Sequence, residues 1–289
     1  MKFAVMGGDQ RIARLARLLA EDGHGVSVFA LEKAGTIPGT KEAVTLSEAV
    51  RNAECVVLPL PVSEQDGLLN TPLSQGKYAL DDVFSVLSPY QTICAGLVGS
   101  STGAHARKLG IELIDYFKRE ELIAKNALAT AEGALGIMMQ ETPSTLWGSN
   151  VLVIGFGRIG KLLAHRLHGM GANTAVSARS FADLAWIELM GYRALNTHSL
   201  EGFLDGFDIV VNTVPSPVFL KTHLQEIKPD ALCLDLASKP GGIDFSAASQ
   251  LGIKAIWALG LPGEVAPASS GAIIKETVYN ILEELNGKD

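Results

Sequence analysis

Short apolar runs alternate with helically spaced apolar stripes along the whole chain. Residues 2–6 predict a strand, and Ile12, Leu15, Leu18 and Leu19 recur at helical spacing before Gly23 closes the pattern. A second strand is expected over 25–30, a short helix over 47–52 and a third strand over 55–60, with further strands at 92–97 and 111–114. A long helical stretch follows, 119–140, interrupted only by Gly133 and Gly136 and terminated at Thr142-Pro143-Ser144. The pattern then restarts. Residues 151–154 predict a strand, Leu162, Leu163, Leu167 and Met170 line one side of a helix ended by Gly171, and a strand follows over 174–178. Strands are expected again at 208–212, 231–236 and 253–258, and a last helix from about 269 to 285.

Strand–helix alternation with β-branched, nearly continuous apolar strands is the signature of parallel sheets covered on both faces. The expected fold is α/β, with two Rossmann-like, doubly wound parallel-sheet domains joined by long helices. The expected boundaries are 1–143 for a substrate domain with its connector helix and 144–267 for a nucleotide domain. Residues 268–289 are expected to form a helix returning to the first domain. A ligand cleft that closes about the crossing helices is the expectation for such a layout.

Composition narrows the class without changing that picture. Hydrophobic residues make up 47% of 289 and aromatic ones 6%, which suits tightly packed α/β layers. The net charge is −7, with no Lys/Arg block, so no nucleic-acid partner is expected. Cys55, Cys94 and Cys233 sit in apolar runs without metal-ligand spacing and read as core thiols of a cytoplasmic protein. Residues 83–106 lack Asp, Glu, Lys and Arg, but Pro89, Gln91 and the serines and glycines argue against a membrane helix. A strand begins at residue 2, so no signal peptide is expected.

The chemistry concentrates in Gly155-Phe156-Gly157-Arg158-Ile159-Gly160, set between a strand and a helix. There Gly155 permits a tight turn, Gly157 lets backbone approach a pyrophosphate, and Gly160 lets the helix pack on the strand. The helix N-terminus offers its free N–H groups to the phosphates. At the end of the next strand stand Ser177, Ala178, Arg179 and Ser180, with no carboxylate before Asp183. An acid would hold the ribose of NAD, whereas an arginine fork and two hydroxyls suit a 2′-phosphate. NADP is therefore expected over NAD. Asn212, Thr213, Val214 and Ser238, in loops at the carboxyl ends of later strands, complete the expected cofactor contacts. Gly7-Gly8-Asp9-Gln10-Arg11 is not a second GxGxxG turn, and Asp9 would repel a phosphate there.

Several motifs together are more specific: Gly7 to Arg11, Phe117-Lys118-Arg119-Glu120-Glu121, Asn126, and Thr130-Ala131-Glu132-Gly133. To these add Ala178-Arg179-Ser180, Asn212 to Ser216, Asp235-Leu236-Ala237-Ser238-Lys239-Pro240-Gly241-Gly242, and Gly260-Leu261-Pro262-Gly263-Glu264-Val265-Ala266-Pro267. Through them the chain resembles the A-subunit of bacterial dipicolinate synthase over essentially its whole length. The resemblance implies oxidation of a dihydrodipicolinate-type ring to pyridine-2,6-dicarboxylate during spore formation, in the cytoplasm of the mother cell. It also implies a partner, the flavoprotein-like B-subunit of dipicolinate synthase. A homo-oligomer is expected as well.

A dicarboxylate calls for cations or helix N-termini. Arg11 and Arg119 are the arginines expected to hold it, with Asn126, Thr130, Glu132, Pro262 and Gly263 nearby. A salt bridge is the alternative for each arginine: Asp9 for Arg11, and Glu120 or Asp115 for Arg119. None of the six histidines marks a catalytic base, and no metal or Ser/His/Asp constellation is visible, so the catalytic residue is left unassigned. Two other readings stay open: a dehydrogenase of another small carboxylate, and a nucleotide-binding component that works only with its partner.

Overall fold

The computed structural model describes residues 1–65 and 67–287. The chain divides into two compact units, 1–126 with 266–289, and 127–265.

The first unit runs β1 (Lys2–Met6), α1 (Gln10–Glu21), β2 (Gly25–Phe29), β3 (Thr40–Glu42), α2 (Leu46–Val50) and β4 (Cys55–Val57). It continues α3 (Leu80–Ser85), β5 (Thr92–Ala95), α4 (Ser100–Lys108), β6 (Ile114–Asp115) and the start of α5 (Glu120–Glu141). Its six strands are parallel in the order β3-β2-β1-β4-β5-β6. Alternate residues of one strand feed opposite cores. Phe3 and Val5 pack with Ile12, Leu15 and Leu19, while Ala4 and Met6 pack with Val83 and Phe84. That two-sided burial is why β1 reads as an unbroken apolar run rather than an alternating one.

The second unit holds β7 (Asn150–Ile154), α6 (Arg158–Gly169), β8 (Asn173–Ala178), α7 (Phe181–Leu189), β9 (Arg193–Asn196) and β10 (Ile209–Asn212). After these come α8 (Lys221–Leu224), β11 (Leu232–Asp235), α9 (Phe245–Leu251), β12 (Lys254–Trp257) and α10 (Leu261–Val265). The strand order, β12-β11-β10-β7-β8-β9, repeats that of the first sheet, and again both faces are buried. Each unit is a doubly wound sheet whose order reverses beside its first strand.

Two of the differences from the sequence expectation concern the segments that flank the second unit. The long helix α5 is shared: Leu122 packs in the first unit's core, whereas Ala131, Ala134, Leu135 and Met138 pack in the second's. The division between units thus falls at 126/127 rather than 143/144, because the apolar positions past Asn126 are covered by the second sheet. The segment Leu261–Val265, within the Gly260 to Pro267 motif and outside the helices read from the sequence, is the short helix α10; a proline in its first turn costs no hydrogen bond.

The C-terminal helix α11 (Pro267–Asn286) packs on α1 through Ile274, Val278, Ile281 and Leu282. Approach is close enough that a Cβ at Gly271 would lie 2.6 Å from the Arg11 carbonyl oxygen. Lys275 and Tyr279 both bind Asp22 at the end of α1. Helix α7 is apolar on both sides. Ile187 is buried, yet Phe181, Trp186 and Leu189 are 84%, 58% and 78% exposed on the outward face. Among the described residues, no helix is long and apolar enough to cross a membrane.

Candidate dinucleotide site

The glycines of the turn after β7 do three separate jobs. Gly155 adopts a left-handed φ of 102°, and a Cβ there would meet the Thr213 hydroxyl at 2.5 Å and a Val214 methyl at 2.8 Å. At Gly160 a Cβ would stand 2.0 Å from the Gly155 carbonyl oxygen, so only glycine lets α6 sit this close to the turn. Gly157 is different. Its φ of −81° and ψ of −164° suit any residue, and a Cβ there would touch no protein atom within 4 Å. It caps α6 without a side-chain hydrogen bond, at the helix end where the first-turn N–H groups lie. A conformationally undemanding glycine facing open space at a helix N-terminus fits a pyrophosphate, whose close approach a side chain would block.

The corresponding turn of the first unit is closed. Asp9 caps α1 by accepting from the Arg11 backbone N–H at 3.0 Å. A Cβ on Gly8 would strike Ile12 at 2.5 Å, and one on Gly7 would strike the Asn70 carbonyl at 2.9 Å. Protein atoms and a carboxylate thus fill the place where the second unit leaves space.

Of the residues expected to contact cofactor, Arg179 is exposed at the end of β8, Arg158 is exposed at the start of α6, and Ser238 is exposed in the loop after β11. Ile159, Thr213 and Val214 are half-buried along the same edge. Three others are employed differently. Ser177 is fully buried and its oxygen accepts from the Thr197 hydroxyl at 3.0 Å. Ser180 caps α7, accepting from the Asp183 N–H and donating to the Asp183 carboxylate at 2.7 Å. Asn212 is fully buried beneath the loop it begins. Ser177 lies within β8, on the face where Ala175 joins the core, whereas Arg179 follows the strand's end.

Beside Asn212 the structure presents a group that sequence reasoning passed over. Asp235, the last residue of β11, is paired in register with Asn212 and fully buried. Its Oδ1 accepts from Asn212 Nδ2 at 2.8 Å and from the Ala237 N–H at 3.0 Å. Its Oδ2 accepts from the Gly242 and Ile243 N–H groups at 2.7 and 3.1 Å. The available signal was an acid closing an apolar strand, followed by Gly241-Gly242.

The residues expected to bind substrate are divided between the units. Arg11, with 13% of its side chain exposed, is gripped by both Asp9 carboxylate oxygens and donates to the Leu60 carbonyl at 2.6 Å. Arg119 binds Glu284 through two nitrogens, at 2.8 and 2.5 Å, and Glu121 at 2.9 Å. Glu284 first, then Glu121, push its guanidinium even further above the ordinary arginine range. Both forks thus hold elements of the first unit together, as the salt-bridge alternative has it, although for Arg119 the acids are Glu121 and Glu284 rather than Glu120 or Asp115. In the second unit Glu132 pairs with Arg166 at 3.4 Å. Gly133 brings α5 against α10, since a Cβ there would lie 3.1 Å from Val265 and 3.3 Å from Leu261. Thr130 on α5 and Pro262 and Gly263 on α10 are half-buried. Asn126 lies in the first unit's part of α5. Among the described residues no group of His, Cys, Asp and Glu could hold a metal ion.

Known proteins match both halves. Residues 2–117 match the family model of the N-terminal domain of the dipicolinate synthase A-subunit. Residues 132–237 match that of the D-isomer specific 2-hydroxyacid dehydrogenase NAD-binding domain, so a nicotinamide dinucleotide-binding domain of dehydrogenase type is present. The chain is 31% identical to the dipicolinate synthase A-subunit of Bacillus subtilis, over 100% of its own length and 98% of the relative's. It superposes on the crystal structure of the A chain of dipicolinate synthase from Bacillus subtilis with a TM-score of 0.88, covering 100% and 98% of the two chains. The structure of the Bacillus halodurans A-subunit gives 0.88 at 28% identity, with 97% of each chain covered. A transhydrogenase from Sinorhizobium meliloti, 16% identical, shares the fold alone, with a TM-score of 0.75 over 98% and 93% of the chains. A dehydrogenase-type nucleotide domain, a matching N-terminal domain and 31% identity over the whole chain agree: the chain belongs to the family of dipicolinate synthase A-subunits.

Proposed function

We propose that the chain oxidises a dihydrodipicolinate-type ring to pyridine-2,6-dicarboxylate with NADP as hydride acceptor, in spore formation and together with a B-subunit. The observation that carries the oxidoreductase reading is the open helix N-terminus at Gly157, framed by two glycines that no other residue can replace. Aromatising the ring requires loss of one hydride and one proton, and a bound oxidised nicotinamide supplies the hydride acceptor. The chain's own part is positional. The turn 155–160 holds the pyrophosphate, and the loops after β10 and β11 shape the other half of the site. Thr130, Pro262 and Gly263 offer neutral contacts in the layer formed by α5 and α10. Arg11 and Arg119 already have carboxylate partners, so we assign neither as the anchor of the substrate. Incubating the precursor and NADP with the chain, in the absence and presence of the B-subunit, tests the reading. Dipicolinate formed by the chain alone places the chemistry here; if it forms only when the B-subunit is present, this chain has the nucleotide-holding role.

Cofactor choice rests on Arg179, the exposed cation at the end of β8, where no acid occupies the ribose position. Calorimetric titration is expected to show tighter binding of NADP than of NAD, and Arg179→Ala is expected to narrow the ratio by about tenfold, the scale of one charge-assisted contact. Equal affinities in the unmutated chain would contradict this. The outward apolar face of α7 supports a homo-oligomer that covers Phe181, Trp186 and Leu189 with a second copy.

A further inference from the structure

We propose that Asp235 and Asn212 form a buried clamp that positions the loops around the nicotinamide half of the dinucleotide site. Asp235 is a positioning residue in this scheme, touching neither cofactor nor substrate. The inference rests on the dinucleotide reading above.

A doubly wound sheet of this order is built from two mononucleotide-binding halves. The half formed by β7, β8 and β9 carries the pyrophosphate turn and Arg179. The half formed by β10, β11 and β12 is left for the nicotinamide ribosyl group, and its ligand edge consists of the loops after β10 and β11. Two side chains fix both loops. Asn212 grips Val214 at its N–H and its carbonyl, both at 3.0 Å. Asp235 ties Ala237 at the start of the next loop to Gly242 and Ile243 at its end. The Asn212–Asp235 hydrogen bond joins the two grips into one unit. From the neighbouring strand the Trp257 indole N–H donates to the Ala237 carbonyl at 2.9 Å.

The surroundings leave this arrangement no slack. A Cβ on Gly242 would lie 2.4 Å from Asn212 Nδ2, and Gly241 is left-handed with its Cβ position 3.0 Å from Asp235 Oδ2. A wholly buried carboxylate is costly to desolvate, and the four donors aimed at it are what offset that cost. Packing alone would be served as well by an apolar residue. The carboxylate is distinguished by its capacity to organise three backbone N–H groups of one loop and the Asn212 amide at once, at the edge where a nicotinamide would lie.

Asp235→Asn separates the readings because an amide cannot replace the acid here. Its NH2 would face either Gly242 and Ile243 N–H groups or those of Ala237 and Asn212, and turning the Asn212 amide to help would break both bonds to Val214. The experiment titrates NADPH and NADH against 2′,5′-ADP and ADP-ribose, which lack nicotinamide, into the full chain. We expect Asp235→Asn to weaken the complete dinucleotides by tenfold or more while the nicotinamide-free probes stay within about twofold. Should that variant not fold, Trp257→Phe removes the indole donor to Ala237 while keeping an aromatic ring beside Phe245, and is expected to give the same selective loss, about threefold. Equal losses for both kinds of probe, or no loss at all, would overturn the clamp while leaving the dinucleotide site standing. A parent chain that binds none of the four would overturn the dinucleotide reading, and the clamp with it.

Discussion

Replacing Gly160 with alanine is expected to destabilise the second unit by about 3 kcal/mol or more and to abolish dinucleotide binding. The added methyl would stand 2.0 Å from the Gly155 carbonyl oxygen, a backbone atom that cannot swing aside. Gly155 is itself held, because the Thr213 hydroxyl and Val214 lie at its Cβ position and its N–H donates to the Ser177 carbonyl at 3.0 Å. The only relief is for α6 to move away from β7, which unpacks Leu163, Ala164 and Leu167 from the core beneath. Chemical denaturation followed by circular dichroism would measure the loss. A Gly160→Ala chain as stable as the parent would show that α6 and the turn are not in the tight contact described.

Gly157→Val is expected to do the opposite: leave the fold nearly intact and remove the ligand. The backbone angles at 157 are ordinary, and no protein atom lies within 4 Å of the new Cβ. Glycine is only moderately favoured at a helix N-cap, so the cost to stability should be about 1 kcal/mol. For the ligand the branched side chain would occupy the space proposed for the phosphate oxygens at the N-terminus of α6. Losing two hydrogen bonds to charged oxygens, at roughly 1.5 kcal/mol each, corresponds to about a hundredfold weaker binding. Fluorescence titration of NADPH, paired with thermal unfolding, reads both quantities. Undiminished affinity in the variant would place the pyrophosphate elsewhere.

These two glycines also mark where the sequence is informative and where it falls silent. The strand–turn–helix spacing identified three glycines and a role for each, because a GxGxxG turn is constrained by local backbone geometry alone. The two sheets were legible for a similar reason: apolar runs such as Val151 to Ile154 are buried on both faces and declare themselves locally. The functions of Ser177 and Asn212 were not legible, since whether a polar residue faces ligand or interior depends on which face of the sheet it occupies and what covers it. Arg119 shows the limit at longer range. Its partner Glu284 lies 165 residues away on α11, a pairing no spacing rule reveals. The short strands β3 and β9 and the helices α3, α4, α8 and α9 went unread because they carry few apolar positions or are too brief for periodicity to show.

The central claim is that this chain holds the nicotinamide that takes a hydride from the ring. The most direct measurement is the ratio of reduced nicotinamide to dipicolinate formed when the precursor and NADP are added to the assembled enzyme without other electron acceptors. One molecule of NADPH per molecule of dipicolinate, with both products falling by about a hundredfold at subsaturating NADP when the chain carries Gly157→Val, is the expected result. Dipicolinate formed at the parent rate without NADPH, or formed equally well by the Gly157→Val enzyme, would contradict the account.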